Sequence, residues 1–291
     1  MRGLTHTRAV WLMVLVAFMW STAGVVTRHL EAARSFEITF WRSLFTALSL
    51  LVLLPLWQGR AVFDRIRTGG RALWVSGLCW SVMFTAFMVA LSMTTVANVL
   101  VTLALGPLFT ALLARATIGH RLPLRTWLTI MVAGAGIAYM YGNELSGDQW
   151  LGTLIALAVP IAGAINWTVT QRAHAKGLNV DLVPAVLLGA VLSTVLTFPL
   201  AWPLTATMHD VGLLALLGVG QLAVPCVLAV LCAQVLKAPE VSLLALLEVV
   251  FGIGLAWLGA NERPSSSVLL GGGLVVSALV ANEIIAWRQR T

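Results

Sequence analysis

The 291-residue chain is 59% hydrophobic and 10% charged, with a formal net charge of +7 and a mean hydropathy of +0.94. That balance excludes a soluble globular domain and describes a polytopic membrane protein. The positive charge is no nucleic-acid signature, because the arginines lie between hydrophobic runs rather than on one patch.

An apolar run of about 20 residues crosses a bilayer as a helix. Ten such runs can be drawn, at 9–30, 36–57, 72–93, 95–118, 125–142, 150–171, 182–204, 211–236, 241–260 and 268–287. The first follows a short tail and precedes no small-residue cleavage site, so it reads as a retained helix. It places Trp20-Ser21-Thr22 at mid-depth and carries no acid. The second contains Arg42, which either meets a solute carboxylate or, as the reading favours, snorkels to the interface or pairs with Glu37 or Glu31. In the third, Ser76, Trp80, Phe84 and Phe87 share one face at helical spacing. The fourth sets Asn98 and Thr102 ahead of a break at Gly106-Pro107. The fifth is apolar and small-residue rich, with Gly134 and Gly136 allowing close helix contact.

The sixth span carries Pro160, Gly163, Asn166, Trp167 and Thr170 along its inner half, and the eighth brings Gln221 and Pro225 together. Pro107, Pro160 and Pro225 each remove a backbone hydrogen bond, leaving either a harmless kink or a hinge between half-helices. The ninth span holds one carboxylate, Glu248, near mid-depth, where a charge is costly and should face protein or a wet cavity. Glu248 has three readings: a partner for a solute ammonium group, a proton carrier, or a structural acid. Near the inner end of the tenth span Glu283 and Arg288 are placed to pair. Most of the 12 tryptophans fall near span ends as interface anchors, whereas Trp20, Trp80 and Trp167 do not. Those three either line a cavity or serve ordinary packing. The three cysteines, Cys79, Cys226 and Cys232, lack metal-ligand spacing and read as packing residues.

Orientation follows from the basic residues. With the N-terminus inside, 14 Lys and Arg lie on the cytoplasmic side and 3 outside, with Arg42 within a span. Both termini are therefore expected in the cytoplasm. Shifting the chain by 142 positions lays Glu248-Val249-Val250-Phe251 over Gly106-Pro107-Leu108-Phe109, and Glu262-Arg263 over His120-Arg121. Two units result, 1–147 and 148–291, and five spans per unit make them an inverted repeat with the working site between them near the midplane.

The segments A-N-V-L-V-T-L-A-L-G-P-L-F-T-A-L-L-A with G-H-R-L, and L-L-E-V-V-F-G-I-G-L-A-W with G-A-N-E-R-P, resemble the drug/metabolite transporter superfamily in its EamA-type ten-helix branch. In that family each half commonly ends its fourth helix with a Gly-Glu turn; Glu262 keeps the acid here and His120 replaces it in the first half. The resemblance implies that helices 1 to 4 and 6 to 9 surround a central cavity with helices 5 and 10 peripheral. It also implies export of small metabolites, amino acids being the commonest class, with aromatic amino-acid exporters the nearest likeness. The small multidrug members use a helix 1 carboxylate for proton exchange, which this chain lacks.

The resulting expectation is an all-α integral membrane protein of the inner (plasma) membrane, a monomer without cofactor or metal, exporting apolar or aromatic amino acids by alternating access. Its candidate substrate-binding residues are Trp20, Ser21, Trp80, Phe84, Asn98, Thr102, Asn166, Trp167, Gln221 and Glu248, and its candidate hinges are Pro107, Pro160 and Pro225. The alternatives are a proton-coupled drug or other metabolite exporter and, remotely, an intramembrane enzyme. The enzyme lacks support, since no H-E-x-x-H, G-x-S-x-G or clustered acids occur. Direct ATP use has none either, with no G-x-x-x-x-G-K.

Overall fold

The computed structural model describes residues 4–118, 124–142, 150–175 and 181–288. Helices are the only regular elements among the described residues: α1 (His6–Thr27), α2 (Ser35–Gln58), α3 (Ala61–Thr68), α4 (Gly70–Met93), α5 (Val96–Leu103), α6 (Gly106–Ile118), α7 (Leu124–Gly142), α8 (Trp150–Ala175), α9 (Pro184–Ala201), α10 (Met208–Leu216), α11 (Val224–Cys232), α12 (Ala238–Ala245), α13 (Leu247–Ala260) and α14 (Ser266–Arg288). Backbone groups find no partners in lipid, so a chain this apolar must satisfy them within helices. Among the described residues eight helical spans are long and apolar enough to cross a membrane. The remaining two expected spans coincide with α7 and α14, whose apolar stretches, Trp127–Gly136 and Ser266–Ala278, are shorter.

The connection after α2 winds into α3, which buries Val62 and turns Arg65 and Arg67 outward. His120, Glu144 and Asp148 lie outside the described residues, as do the side chains of Glu283 and Arg288.

Three spans are interrupted at mid-depth. The fourth breaks between α5 and α6, where Ala104 N–H bonds back to both Leu100 and Val101 carbonyls. Pro107 then stands in the first turn of α6, where its missing N–H is no loss. The ninth breaks at Leu246, between α12 and α13, and the backbone tightens there through Leu246 N–H to Leu243 O and Val249 N–H to Leu246 O. Neither glycine nor proline marks that break. The two interruptions, at Ala104 and Leu246, stand 142 positions apart. The eighth span widens into a π-helical stretch, Leu217–Ala223, between α10 and α11. Pro225 follows it, and its ring cannot be accommodated against an α-helical carbonyl four residues back, so the widened turn absorbs the mismatch.

Around this frame α4 packs on α8 and α9, α2 on α9, α1 on α13 and α11, α5 on α8 and α13, α6 on α8 and α12, and α7 on α14. Gly189 of α9 lies against Trp80, where an added Cβ would also come within 3.0 Å of Gly77 O. Gly218 lies against α2, where a Cβ would stand 2.7 Å from Arg42 O. Small residues thus bring α9 and the π-helical stretch close behind two residues that face the centre. Leucines such as Leu56 and Leu258 point outward, as lipid contact requires.

Candidate functional site

The interrupted spans meet at a central cavity of about 130 Å³, on the order of ten water-sized sites. Its wall is mostly aromatic and aliphatic. Trp20 comes from α1, Trp80, Met83, Phe84 and Phe87 from α4, and Pro160 and Trp167 from α8. Trp80 meets Trp167 edge to face at 5.7 Å between ring centroids and 87° between planes, and lies 5.5 Å from Phe84. The edge-to-face arrangement leaves flat indole surface for a solute, and the Trp80 Nε1–H has no hydrogen-bond partner. Both chain breaks also reach the cavity, through Leu103 and Gly106 on one side and Ala245 and Leu246 on the other.

Four polar side chains interrupt this surface: Arg42, Gln221, Glu248 and Ser242, the last with its hydroxyl bonded to that of Thr110 at 2.8 Å. Arg42 is 1% exposed and Glu248 8%. The Arg42 guanidinium donates from Nη1 to Gln221 Oε1 at 3.3 Å and from Nη2 to the Phe84 carbonyl at 2.9 Å, and it lies 5.9 Å from the Phe87 ring centroid. Gln221, carried on the π-helical stretch, donates in turn to the Trp20 carbonyl at 3.2 Å. Glu248 sits in the first turn of α13, where the partial positive end of a helix favours a carboxylate.

This placement corrects the sequence reading of Arg42. It neither snorkels to the interface nor pairs with an acid on its own helix or loop. Glu37 is taken by the Thr205 and Ala206 N–H groups, each at 2.8 Å, and by the Thr205 hydroxyl at 2.9 Å. Glu31 lies at the surface beside His209 and Thr207. Arg42 is therefore a cavity residue that sequence reasoning left off its site. The signal was present, since a charge within a span marks a site by default.

Of the expected substrate-binding residues, the structure brings Trp20, Trp80, Phe84, Trp167, Gln221 and Glu248 to the cavity wall. Ser21, Asn98, Thr102 and Asn166 are not among its lining residues. The Ser21 hydroxyl donates to Phe18 O at 2.6 Å, Thr102 to Asn98 O at 2.8 Å, and Asn98 Nδ2 to Thr94 Oγ1 at 3.1 Å. Asn166 accepts from Ser76 at 2.6 Å, tying α8 to α4 beside the two tryptophans. Among the expected hinges only Pro160 lines the cavity; Pro107 and Pro225 open the half-helices α6 and α11.

Toward the expected outer face the chain is cross-tied. Arg28 donates to Glu262 Oε2 at 3.0 Å, to Leu91 O at 3.1 Å and to Thr94 O at 3.0 Å, while Glu262 Oε1 accepts from Val96 N–H at 2.8 Å. Asn261, in the left-handed region at φ 53°, turns the chain out of α13 so that Glu262 reaches these groups. At the other end Gln171 Oε1 accepts from Ala238 N–H at 3.2 Å, and His6 meets Glu240 at 2.8 Å.

A chain of membrane-crossing helices interrupted at mid-depth around a buried aromatic cavity is a multi-pass membrane protein with an internal solute-sized chamber. Its residues 7–142 match the EamA-like transporter family. Among solved structures 25 chains match. One of them, titled only as the crystal structure of a protein, has a TM-score of 0.71 at 17% sequence identity and covers 97% of this chain and 99% of its own, a likeness of fold. The search of curated proteins found no match.

Proposed function

We propose that the protein is a secondary transporter or facilitator that exports small metabolites, amino acids with aromatic or other apolar side chains above all, by alternating access through the central cavity. The observation that carries this reading is the cavity itself: an aromatic wall with a few polar groups at the meeting point of interrupted helices. Such interruptions free backbone groups and let half-helices tilt about a fixed central site.

In this reading the chain forms ten spans in two inverted halves, 1–147 and 148–291, with both termini in the cytoplasm and the protein acting as a monomer in the inner membrane. Helix pairing supports the repeat. Exchanging the halves turns the packing of α1 on α13 into that of α8 on α5 and α6, and the packing of α4 on α8 into that of α11 on α1. The two breaks 142 positions apart support it too. The reading includes no catalytic chemistry: among the described residues neither Ser242 nor Cys226 of the cavity wall is hydrogen-bonded to Glu248, and the Ser242 hydroxyl is bonded to that of Thr110.

Purified protein in proteoliposomes should take up radiolabelled phenylalanine or tryptophan saturably without an imposed gradient. Trp167→Ala should weaken half-saturation by about tenfold, near 1.4 kcal/mol. Absence of uptake for every amino acid tested would exclude that substrate class. Glu248, a carboxylate in the cavity wall, favours the second reading, a proton-coupled exporter of drugs or other metabolites. Uptake that requires a proton gradient and is abolished in Glu248→Gln would select it.

A further inference from the structure

Two opposite charges line the cavity, and they do not meet. Among the described residues every ion pair within 4.0 Å lies toward the ends of the spans, and none joins Arg42 to Glu248. Burying a charge is expensive unless it is paired and hydrogen-bonded, and leaving two complementary charges apart in one cavity forgoes the simplest remedy. The structure spends other groups on keeping Arg42 where it is: Gln221 and the Phe84 carbonyl take one N–H from each terminal nitrogen. A guanidinium has five N–H donors, and the Arg42 Nε–H has no partner. The Glu248 carboxylate accepts no hydrogen bond from any described residue.

A solute must answer both charges to enter cheaply. A simple cation would suit Glu248 and be repelled by Arg42; a simple anion would meet the reverse. A molecule carrying a carboxylate and an ammonium group neutralises both at once. Its apolar remainder then faces Trp80 and Trp167.

We propose that Arg42 and Glu248 are the two poles of a zwitterion site, with the Arg42 guanidinium, oriented by Gln221 and Phe84 O, taking the solute carboxylate and Glu248 taking its ammonium group. This rests on the reading of the cavity as the solute site, and it makes Arg42 a specificity-determining residue.

The test is calorimetric binding to the purified full-length protein with three probes sharing one side chain: L-phenylalanine, phenethylamine, which lacks the carboxylate, and 3-phenylpropionate, which lacks the amine. Wild type should bind phenylalanine at least about tenfold tighter than either single-charge probe. Glu248→Gln should bring phenylalanine down to the affinity of 3-phenylpropionate without weakening the latter. Arg42→Gln should bring it down to that of phenethylamine, and Arg42→Lys, which keeps the charge but not the fork, should fall between. Arg42→Gln also loses a bond to Phe84 O, so Glu248→Gln and Arg42→Lys decide the matter if that variant fails to fold. Wild type binding phenethylamine as tightly as phenylalanine would overturn the two-pole site while leaving the cavity a solute site. So would variants that weaken all three probes alike. Binding of none of the three by wild type removes the amino-acid reading itself, and the two-pole site with it.

Discussion

Asp210 is fully buried and devotes its carboxylate to backbone. It accepts the N–H groups of Glu31, Ala32 and Ala33 at 2.8, 2.9 and 3.0 Å, and it completes a capping box with Thr207 at the start of α10. Glu37 does the same for Thr205 and Ala206. These two acids sew the α1–α2 connection to the α9–α10 connection, and neither reaches the cavity. Asp210→Asn keeps the shape but replaces one acceptor oxygen by a donor facing buried N–H groups. It should lower stability by on the order of 2 kcal/mol, read as a fall in thermal unfolding midpoint in detergent, while transport per folded molecule is retained. Arg42 and Glu248 differ in kind, because their unspent hydrogen-bonding capacity faces the chamber rather than the backbone.

Elements matter here through their interruptions. A continuous α-helix over the eighth span would turn residues by about 100° per position, and the π-helical stretch resets that phase between α10 and α11. The resetting is what aims Gln221 at Arg42 on one side and the Trp20 carbonyl on the other. Pro225→Ala restores an N–H and removes the ring clash, so the stretch can relax toward α-helix and swing Gln221 away. The expected outcome is roughly five- to tenfold weaker solute affinity, about one hydrogen bond's worth, with an unchanged helical signal by circular dichroism. An affinity equal to wild type would separate the π turn from solute binding. The Gly106-Pro107 break is legible in the sequence because the residues themselves refuse the helix; the Leu246 break is not, since leucines on both sides favour continuation. Packing of α12 on α6 and α8, and of α13 on α1 and α5, decides it instead.

At the scale of the whole molecule the two ends of the helix bundle are tied differently. The expected outer end is held by the Arg28–Glu262 pair, whose groups also bond three backbone sites on α4 and α5. The opposite end is held by Gln171 on the α12 backbone and by the His6–Glu240 contact. An ion pair with backbone partners is the stronger tie of the two. Glu262→Gln should therefore shift the population toward outward opening. With Leu103→Cys as a reporter in the cavity wall, a membrane-impermeant maleimide added outside should label the Glu262→Gln protein at least about threefold faster, a bias near 0.7 kcal/mol. Equal labelling rates would remove the pair from gating.

Much of this protein follows from composition and pattern alone. The apolar runs separated by arginines dictate membrane helices, because backbone polar groups in lipid have no other partner. The aromatic residues away from span ends, Trp20, Trp80 and Trp167, do line the cavity. The polar residues were harder to read, because one hydroxyl or amide in a span has two outlets. Thr102 and Ser21 bond carbonyls of their own helix, and the Asn166 Oδ1 accepts from Ser76 across on α4, so these oxygens are engaged away from the cavity. The same ambiguity covered Arg42: its sequence position permits a long side chain to reach the interface, and only the approach of Gly218, Gln221 and Phe84 turns it inward. The sequence by itself determined the class of fold and which spans carry a charge, since hydropathy acts along the chain. Which charges face one cavity was decided by tertiary structure, because that depends on bringing residues as far apart as Arg42 and Glu248 to a common wall.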